Sequence, residues 1–444
     1  LKEVIPRFSK NELISKTACD YIPYLLYLSR NRKQTLVGQI LKVLMLGWEL
    51  PPHHSGGLGV ACYQMCKQLA KDGVDIEFVL PYDADYSSID FMKVTAAHPQ
   101  TVEELRSAGG IYDSDLYQLN YEDGSTEITN LRWQHDQFVS NVCKLVEYSE
   151  FDVLHAHDWL TLRAAMAAKQ ITGKPLIVHI HATEYDRSAG GYGNPVVREI
   201  EYQGLMMADR IMAVSQRVKL VLEKEYGIPG DKIEVVHNRI DYDTFDVNDG
   251  ENSYQYLEKL KSQGYRVVSS IGRLTIQKNL VNLLHAIKIV VANNPKTIFL
   301  LVGSGEQEHE LIELSADLGI SKNVIFVPFS HGKKWRDSYR IADLFVMPST
   351  SEPFGITPLE AIGFGAPVLV SKQSGVSEIV QNMLKVDFWD VNEMANQITA
   401  VVQNDSLRDE LHQNSHREWQ KLGWGEAAKA MRDIYDQHSA GVQS

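Results

Sequence analysis

Short runs of β-branched and aliphatic residues recur along the chain, with amphipathic stretches between them. The first series consists of Val43 to Leu46, Ile76 to Leu80, Val153 to Ala156, Leu176 to Ile180, Ile211 to Val214 and Ile233 to Val236. Strand-length runs separated by room for a helix are the arithmetic of βαβ units and a parallel sheet. Asn248 to Ser253 is polar and reads as a linker, after which a second series runs through Val267 to Ile271, Ile298 to Val302, Val324 to Phe326, Leu344 to Met347 and Val368 to Val370. One helix in this half is sharply defined, because Leu280, Leu283, Leu284 and Ile287 fall on a single stripe. A last amphipathic helix is expected from Trp424 through Ile434. The pattern predicts an α/β protein with two parallel-sheet domains, the first over 41–250 and the second over 251–424. Residues 1–40 form an extension whose role the pattern does not reveal, and 425–444 carry the final helix, expected to pack back on the first domain.

Composition narrows the classes. The 444 residues are 44% hydrophobic and 23% charged, ordinary for a globular protein with two cores. The formal charge of −13, with no Lys/Arg block, argues against electrostatic binding to nucleic acid or an anionic membrane. The longest apolar stretches, such as Ile22 to Leu28, fall short of the roughly 18 residues of a membrane span. Cys19, Cys62, Cys66 and Cys143 are too few and scattered for a disulfide framework. Plain thiols and a cytoplasmic, soluble protein are the expectation, and no secretion signal opens at Leu1-Lys2-Glu3.

The chemistry-bearing residues cluster after predicted strands. The first strand leaves into a loop that ends Ser55-Gly56-Gly57-Leu58-Gly59, just before a predicted helix near Val60. Glycines there let backbone N–H groups approach an anion or a sugar, although the spacing is neither a dinucleotide-binding GxGxxG nor a P-loop. His155-Ala156-His157-Asp158-Trp159 and His179-Ile180-His181 end two further strands, where ligands of open α/β sheets bind. Alternation puts the members of each His pair on one face, which opens a sugar-hydroxyl reading and a metal-site reading similar to the HxH of metal-dependent amidohydrolases. In the second half, Arg273 and Lys278 lie in the loop after the first strand, and two fixed cations suit a diphosphate leaving group. Ser351-Glu352-Pro353-Phe354-Gly355-Ile356-Thr357-Pro358-Leu359-Glu360 follows another strand. Gly355 frees the backbone, Pro358 suits an early helical position, and the amides of Ile356 and Thr357 would face a phosphate. The offset between Glu352 and Glu360 exceeds two helical turns, so they reach different parts of one ligand.

Taken in order, Gly56-Gly57, His157-Asp158-Trp159, Val236-His237-Asn238, the Arg273 to Lys278 element and the Glu352-x7-Glu360 element resemble the retaining glycosyltransferases of the GT-B fold, family 4. The resemblance extends over roughly residues 41–440 and is nearest to bacterial and archaeal glycogen or starch synthases. It implies two Rossmann-like parallel-sheet domains facing a cleft, and a hexosyl unit, glucose first, moved from a UDP-sugar or ADP-sugar donor to a hydroxyl acceptor such as an α-glucan. The first domain would take the acceptor and the second the nucleotide-sugar. By the same resemblance, Gly56 and Gly57 meet the donor phosphate or sugar, and His157 touches the sugar's 6-hydroxyl. Arg273 and Lys278 hold the diphosphate, Glu352 the transferred sugar, Glu360 the ribose, and the amides around Gly355, Ile356 and Thr357 the distal phosphate. No cofactor, no metal and no enzymic nucleophile are implied.

Two positions depart from the family. His237-Asn238-Arg239-Ile240-Asp241 places Arg239 where glycine is usual, and an Arg in a positive-φ turn would cost on the order of 1 kcal/mol. His54 stands where ADP-glucose-dependent glycogen synthases carry a Lys, which leaves the donor base and polymer synthesis open. A nucleotide-sugar 2-epimerase of the same fold, a metal-dependent hydrolase built on the four histidines, and a non-catalytic sugar-binding relative are the rival readings. Asp83-Ala84-Asp85 and Asp241-Tyr242-Asp243 spell the metal-binding Asp-x-Asp of other glycosyltransferases; the spelling alone is weak evidence, and the first is read here as a solvated acidic turn.

Overall fold

In the computed structural model, residues 40–53, 56–97, 101–106, 116–120, 126–247 and 249–439 are described. Residues 1–39, with Cys19 and the Ile22 to Leu28 run, lie outside that set, as do His54, Asn248 and parts of the Tyr82 to Thr126 region.

Sixteen strands are described: β1 Lys42–Leu46, β2 Asp75–Leu80, β3 Lys93–Ala96, β4 Thr101–Arg106, β5 Leu116–Asn120, β6 Thr126–Asn130, β7 Val153–His157, β8 Leu176–Ile180, β9 Arg210–Ala213, β10 Ile233–Val235, β11 Arg266–Ile271, β12 Thr297–Val302, β13 Val324–Val327, β14 Leu344–Met347, β15 Val368–Ser371 and β16 Leu384–Val386. Seven form a parallel sheet in the order β10-β9-β8-β7-β1-β2-β3. Six form a second parallel sheet, β13-β12-β11-β14-β15-β16. The predicted class therefore holds. A three-stranded antiparallel sheet, β4-β5-β6, was not anticipated, nor were β3 and β16.

The central strands β7, β8, β12, β14 and β15 are buried at every position, because helices cover both faces of each sheet. Leu280, Leu283, Leu284 and Ile287 all enter the core from the helix Leu280–Asn293, as their spacing requires. The final helix is Gly425–Ser439, with Trp424 buried just ahead of it. Trp424 Nε1 donates to Gln64 Oε1 at 3.1 Å, and Tyr435 reaches His155 at the end of β7.

The two halves are also stitched together by side-chain hydrogen bonds. Ser215 Oγ donates to Pro353 O at 2.5 Å, and Ser351 Oγ donates to Asp186 Oδ1 at 2.6 Å. Glu378, from the second half, accepts the Gln216 and Arg217 N–H groups at the start of a first-half helix and pairs with His237 at 2.7 Å. A carboxylate at that helix N-terminus satisfies donors that have no intrahelical partner.

Candidate active site

In an open α/β sheet, ligands gather outside the carboxyl ends of the strands where the strand order reverses. That point lies between β1 and β7 in the first sheet and between β11 and β14 in the second. Most of the residues singled out in the sequence lie at the ends of these four strands, and His179 and His181 at the end of the neighbouring β8.

After β1 the chain crosses Glu49 and enters the helix Gly57–Lys71. The Glu49 carboxylate accepts the Gly56 N–H at 2.9 Å and the Gly59 N–H at 3.4 Å, so it occupies part of the helix N-terminus expected to meet the ligand. Burial raises its pKa, opposed by those amides and by the Arg273 guanidinium of the other half. Gly57 is exposed, and a Cβ there would meet nothing, so packing does not dictate the glycine.

His155, His157 and His179 are fully buried and His181 is half-buried. Strand alternation brings the rings of His155 and His157 to 4.4 Å between centroids, and those of His179 and His181 to 4.3 Å. His155 Nδ1 bonds the Tyr435 hydroxyl at 2.6 Å, which gives that histidine a structural partner. His157 Nδ1 lies 3.2 Å from His181 Nε2, and Phe78 stacks on the His157 ring. Burial drives all four well below the usual imidazole range, His181 to about 3, so the rings are neutral. His157 Nε2 has no protein partner. Asp158 begins the next helix at a φ of 53° and accepts the His181 and Ala182 N–H groups at 2.7 and 3.3 Å. Burial lifts its carboxyl to about 7.

After β11, Gly272 and Gly303 bring two strand-end loops into direct backbone contact, since a Cβ on Gly303 would lie 1.8 Å from Gly272 O. Arg273 is exposed, whereas Lys278 is half-buried and its Nζ lies 2.5 Å from Glu352 Oε2. Ser349 Oγ donates to the same carboxylate oxygen at 2.9 Å. Gly355, at φ 94°, caps the helix Ile356–Gly363, and a Cβ there would press on Met347 and Glu352. Ile356 and Thr357 are the first two residues of that helix, where amides have no intrahelical acceptor.

Glu360 points elsewhere. It accepts the Tyr339 hydroxyl at 2.6 Å, burial raises its pKa to about 7, and it lines a cleft of about 230 Å³. Pro51 and Tyr63 of the first half line this cleft with Ile240, Trp335 and Ile356. The Asp-x-Asp spellings are engaged otherwise: Asp85 accepts the Ser87 N–H of its own turn at 3.0 Å, and Asp241 and Asp243 pair with the distant Lys67 at 2.6 and 2.9 Å. The strain expected at Arg239 is not there. Among the described residues, the non-glycine positive φ angles belong to Asp158, Ala189 and Asn279.

Two family models divide this framework. Glycosyltransferase Family 4 matches residues 55–244, and Glycosyl transferases group 1 matches residues 255–418. The chain is a family 4 glycosyltransferase of the GT-B fold. This glycosyltransferase is 27% identical over 418 residues to an uncharacterized glycosyltransferase of Methanocaldococcus jannaschii, covering 89% of this chain and 98% of that one. It is 27% identical over 399 residues to the D-inositol 3-phosphate glycosyltransferase of Rhodococcus erythropolis, covering 86% of each. Anabaena HepE, solved in complex with UDP and glucose, shares the fold with a TM-score of 0.67 at 19% identity, over 89% of this chain and all of that one. Among the described residues, no helix of the glycosyltransferase is long and apolar enough to cross a membrane.

Sequence reasoning gave no role to three residues that the glycosyltransferase brings to this region. Glu49 was legible only as an acid shortly before paired glycines. Tyr339 lies twenty-one positions before Glu360. Glu378 ties His237 to the start of a helix in the other half.

Proposed function

We propose that the protein transfers a hexosyl unit, glucose first, from a UDP-sugar to a hydroxyl of its acceptor, with retained α configuration and without a metal ion in the chemistry. The observation that carries this reading is the Lys278–Glu352 pair at the switch point of the second sheet, beside the helix start at Ile356. An ammonium has three donors. One holds Glu352, and the others are available to a diphosphate, so a single lysine links the group that grips the sugar to the group that takes the departing charge. Arg273 and the Ile356 and Thr357 amides add donors for the phosphates. Glu352 orients the sugar through its hydroxyls.

On the other side of the cleft, His157 Nε2 and the Gly57 amide meet the sugar. The C1–O bond to the diphosphate breaks as the acceptor oxygen bonds to C1 on the same face, and the acceptor's proton passes to the leaving phosphate oxygen. Electrostatic stabilisation of that departing charge is the main contribution asked of the protein. The UDP and glucose bound to HepE favour UDP, with ADP as the alternative base, and the D-inositol 3-phosphate glycosyltransferase makes a cyclitol phosphate as worth testing as an α-glucan end.

The decisive experiment screens nucleotide sugars by thermal shift and then follows nucleotide release and product anomer. A ligand at 100 times its dissociation constant stabilises by about 2.7 kcal/mol. Expected are stabilisation by UDP-glucose, free UDP released only when acceptor is present, and an α-linked product. UDP release with sugar epimerised at C2, or a β-linked product, would overturn the reading.

A further inference from the structure

We propose that Cys62, His157 and His181 form a binding site for one soft divalent metal ion of the zinc or cobalt type. The three residues come from different elements: the helix Gly57–Lys71, the end of β7 and the residue after β8. One ligand atom from each lies within 4.8 Å of the other two. A tetrahedral ion with metal–nitrogen bonds of about 2.0–2.1 Å sets its ligand nitrogens about 3.3 Å apart. His157 Nδ1 and His181 Nε2 are already 3.2 Å apart. In the metal-free site these nitrogens share the hydrogen of His181; when an ion takes its place, that hydrogen moves to His181 Nδ1 by exchange with water, and His157 keeps its own on Nε2.

One further observation points to a cation. Acids stand beside the site: Glu49 accepts the Gly56 and Gly59 N–H groups at the start of the helix that carries Cys62, and Asp158 accepts the His181 N–H. His155, His157 and His179 also fall within ligand range of one another, but that trio is wholly buried and offers no anionic ligand to offset a divalent charge. Cys62 supplies a thiolate, releasing its proton to water as the ion binds, and the half-buried His181 gives the ion a way in. Three protein donors leave the fourth position to water.

Metal uptake is read directly and does not depend on the transferase reading. The protein is freed of metal with a chelator and titrated with Co²⁺. Expected are one equivalent bound per chain, the visible bands of a tetrahedral ion, a thiolate-to-cobalt charge-transfer band, and displacement by Zn²⁺ with a rise in Tm. Cys62→Ser should abolish the charge-transfer band and weaken binding at least ~100-fold, as should His181→Gln for the affinity, while Cys66→Ser leaves both unchanged. Should Cys62→Ser fail to fold, the charge-transfer band of the unaltered chain decides, because it needs sulfur bound to cobalt. No uptake, a spectrum without the sulfur band, or binding lost in Cys66→Ser but kept in Cys62→Ser overturns the assignment.

Discussion

The strand ends of the first sheet present neutral rings and backbone amides, whereas those of the second present fixed charge held in pairs. Around β7 and β8 the histidines are buried and uncharged. Around β11 and β14, Lys278 meets Glu352, and Arg273 stays exposed. The same topological position is used twice with opposite electrostatics. A departing diphosphate needs cations where its charge grows, whereas a sugar ring needs hydrogen-bonding groups that cost little to desolvate. On the proposed reading, the bond that breaks lies across the boundary between these environments.

The largest effect should come from removing the charge of the second half. Lys278→Ala is expected to lower kcat by about 3 kcal/mol, or ~100-fold. It also strands the Glu352 carboxylate, so stability falls, though by less than the roughly 3–5 kcal/mol of a fully buried pair because both side chains keep some exposure. Adding Glu352→Gln should restore Tm without restoring turnover. Turnover recovered together with Tm would show that Lys278 serves folding alone.

Next in size is the separation of the two glutamates. Glu360→Gln should weaken free UDP by roughly 1–3 kcal/mol, while Glu352→Gln leaves UDP binding nearly intact and damages transfer. Calorimetry giving the reverse order would refute the assignment. The pH dependence sharpens it. The Glu360 carboxyl titrates near 7 and the ribose diol donates to its ionised form, so UDP affinity should rise between pH 6 and 8. Stability runs the other way. A carboxyl raised from 4.5 to about 7 binds more protons folded than unfolded, so its contribution is present below about pH 4.5 and is lost as pH rises through 7. Glu360→Gln should therefore raise Tm more at pH 8 than at pH 5 and flatten the affinity profile.

A smaller effect belongs to the first half. His157→Ala removes one neutral hydrogen bond, about 1 kcal/mol or ~5-fold in transfer, with UDP affinity unchanged. A loss as large as that of Lys278→Ala would mean that the first half also manages charge.

The contrast between halves also explains what could be read from sequence. Strands buried on both faces announce themselves as predominantly apolar runs, which is why Leu176–Ile180, broken only by His179, and Leu344–Met347 were placed to the residue. Lys93–Ala96 is short and only half-buried, and Leu384–Val386 has three residues, so neither carries that signal. Motif residues were legible because they follow strands at positions where loops bind ligands. Their partners were not: Lys278 and Glu352 are 74 positions apart, and only the adjacency of β11 and β14 unites them. Arg239 was misjudged because a family's glycine suggests positive φ, and here the backbone does not adopt it.

The smallest expected effect is none, and it tests the contrast most directly. If the second half supplies the charge that a catalytic metal would otherwise bring, transfer should persist in excess EDTA, even with the metal proposed at Cys62 removed. The aspartates that spell a metal motif are engaged in other ways: Asp85 folds its own turn, and Asp241 and Asp243 hold Lys67 of the first half. Exposed pairs of the Asp243 kind are worth about 0–1 kcal/mol, so Asp243→Asn with Asp85→Asn should shift Tm slightly and leave kcat within about twofold. Activity abolished by EDTA and restored by manganese or magnesium would place the stabilising charge on an ion, and Arg273 and Lys278 would then be positioning groups for the diphosphate.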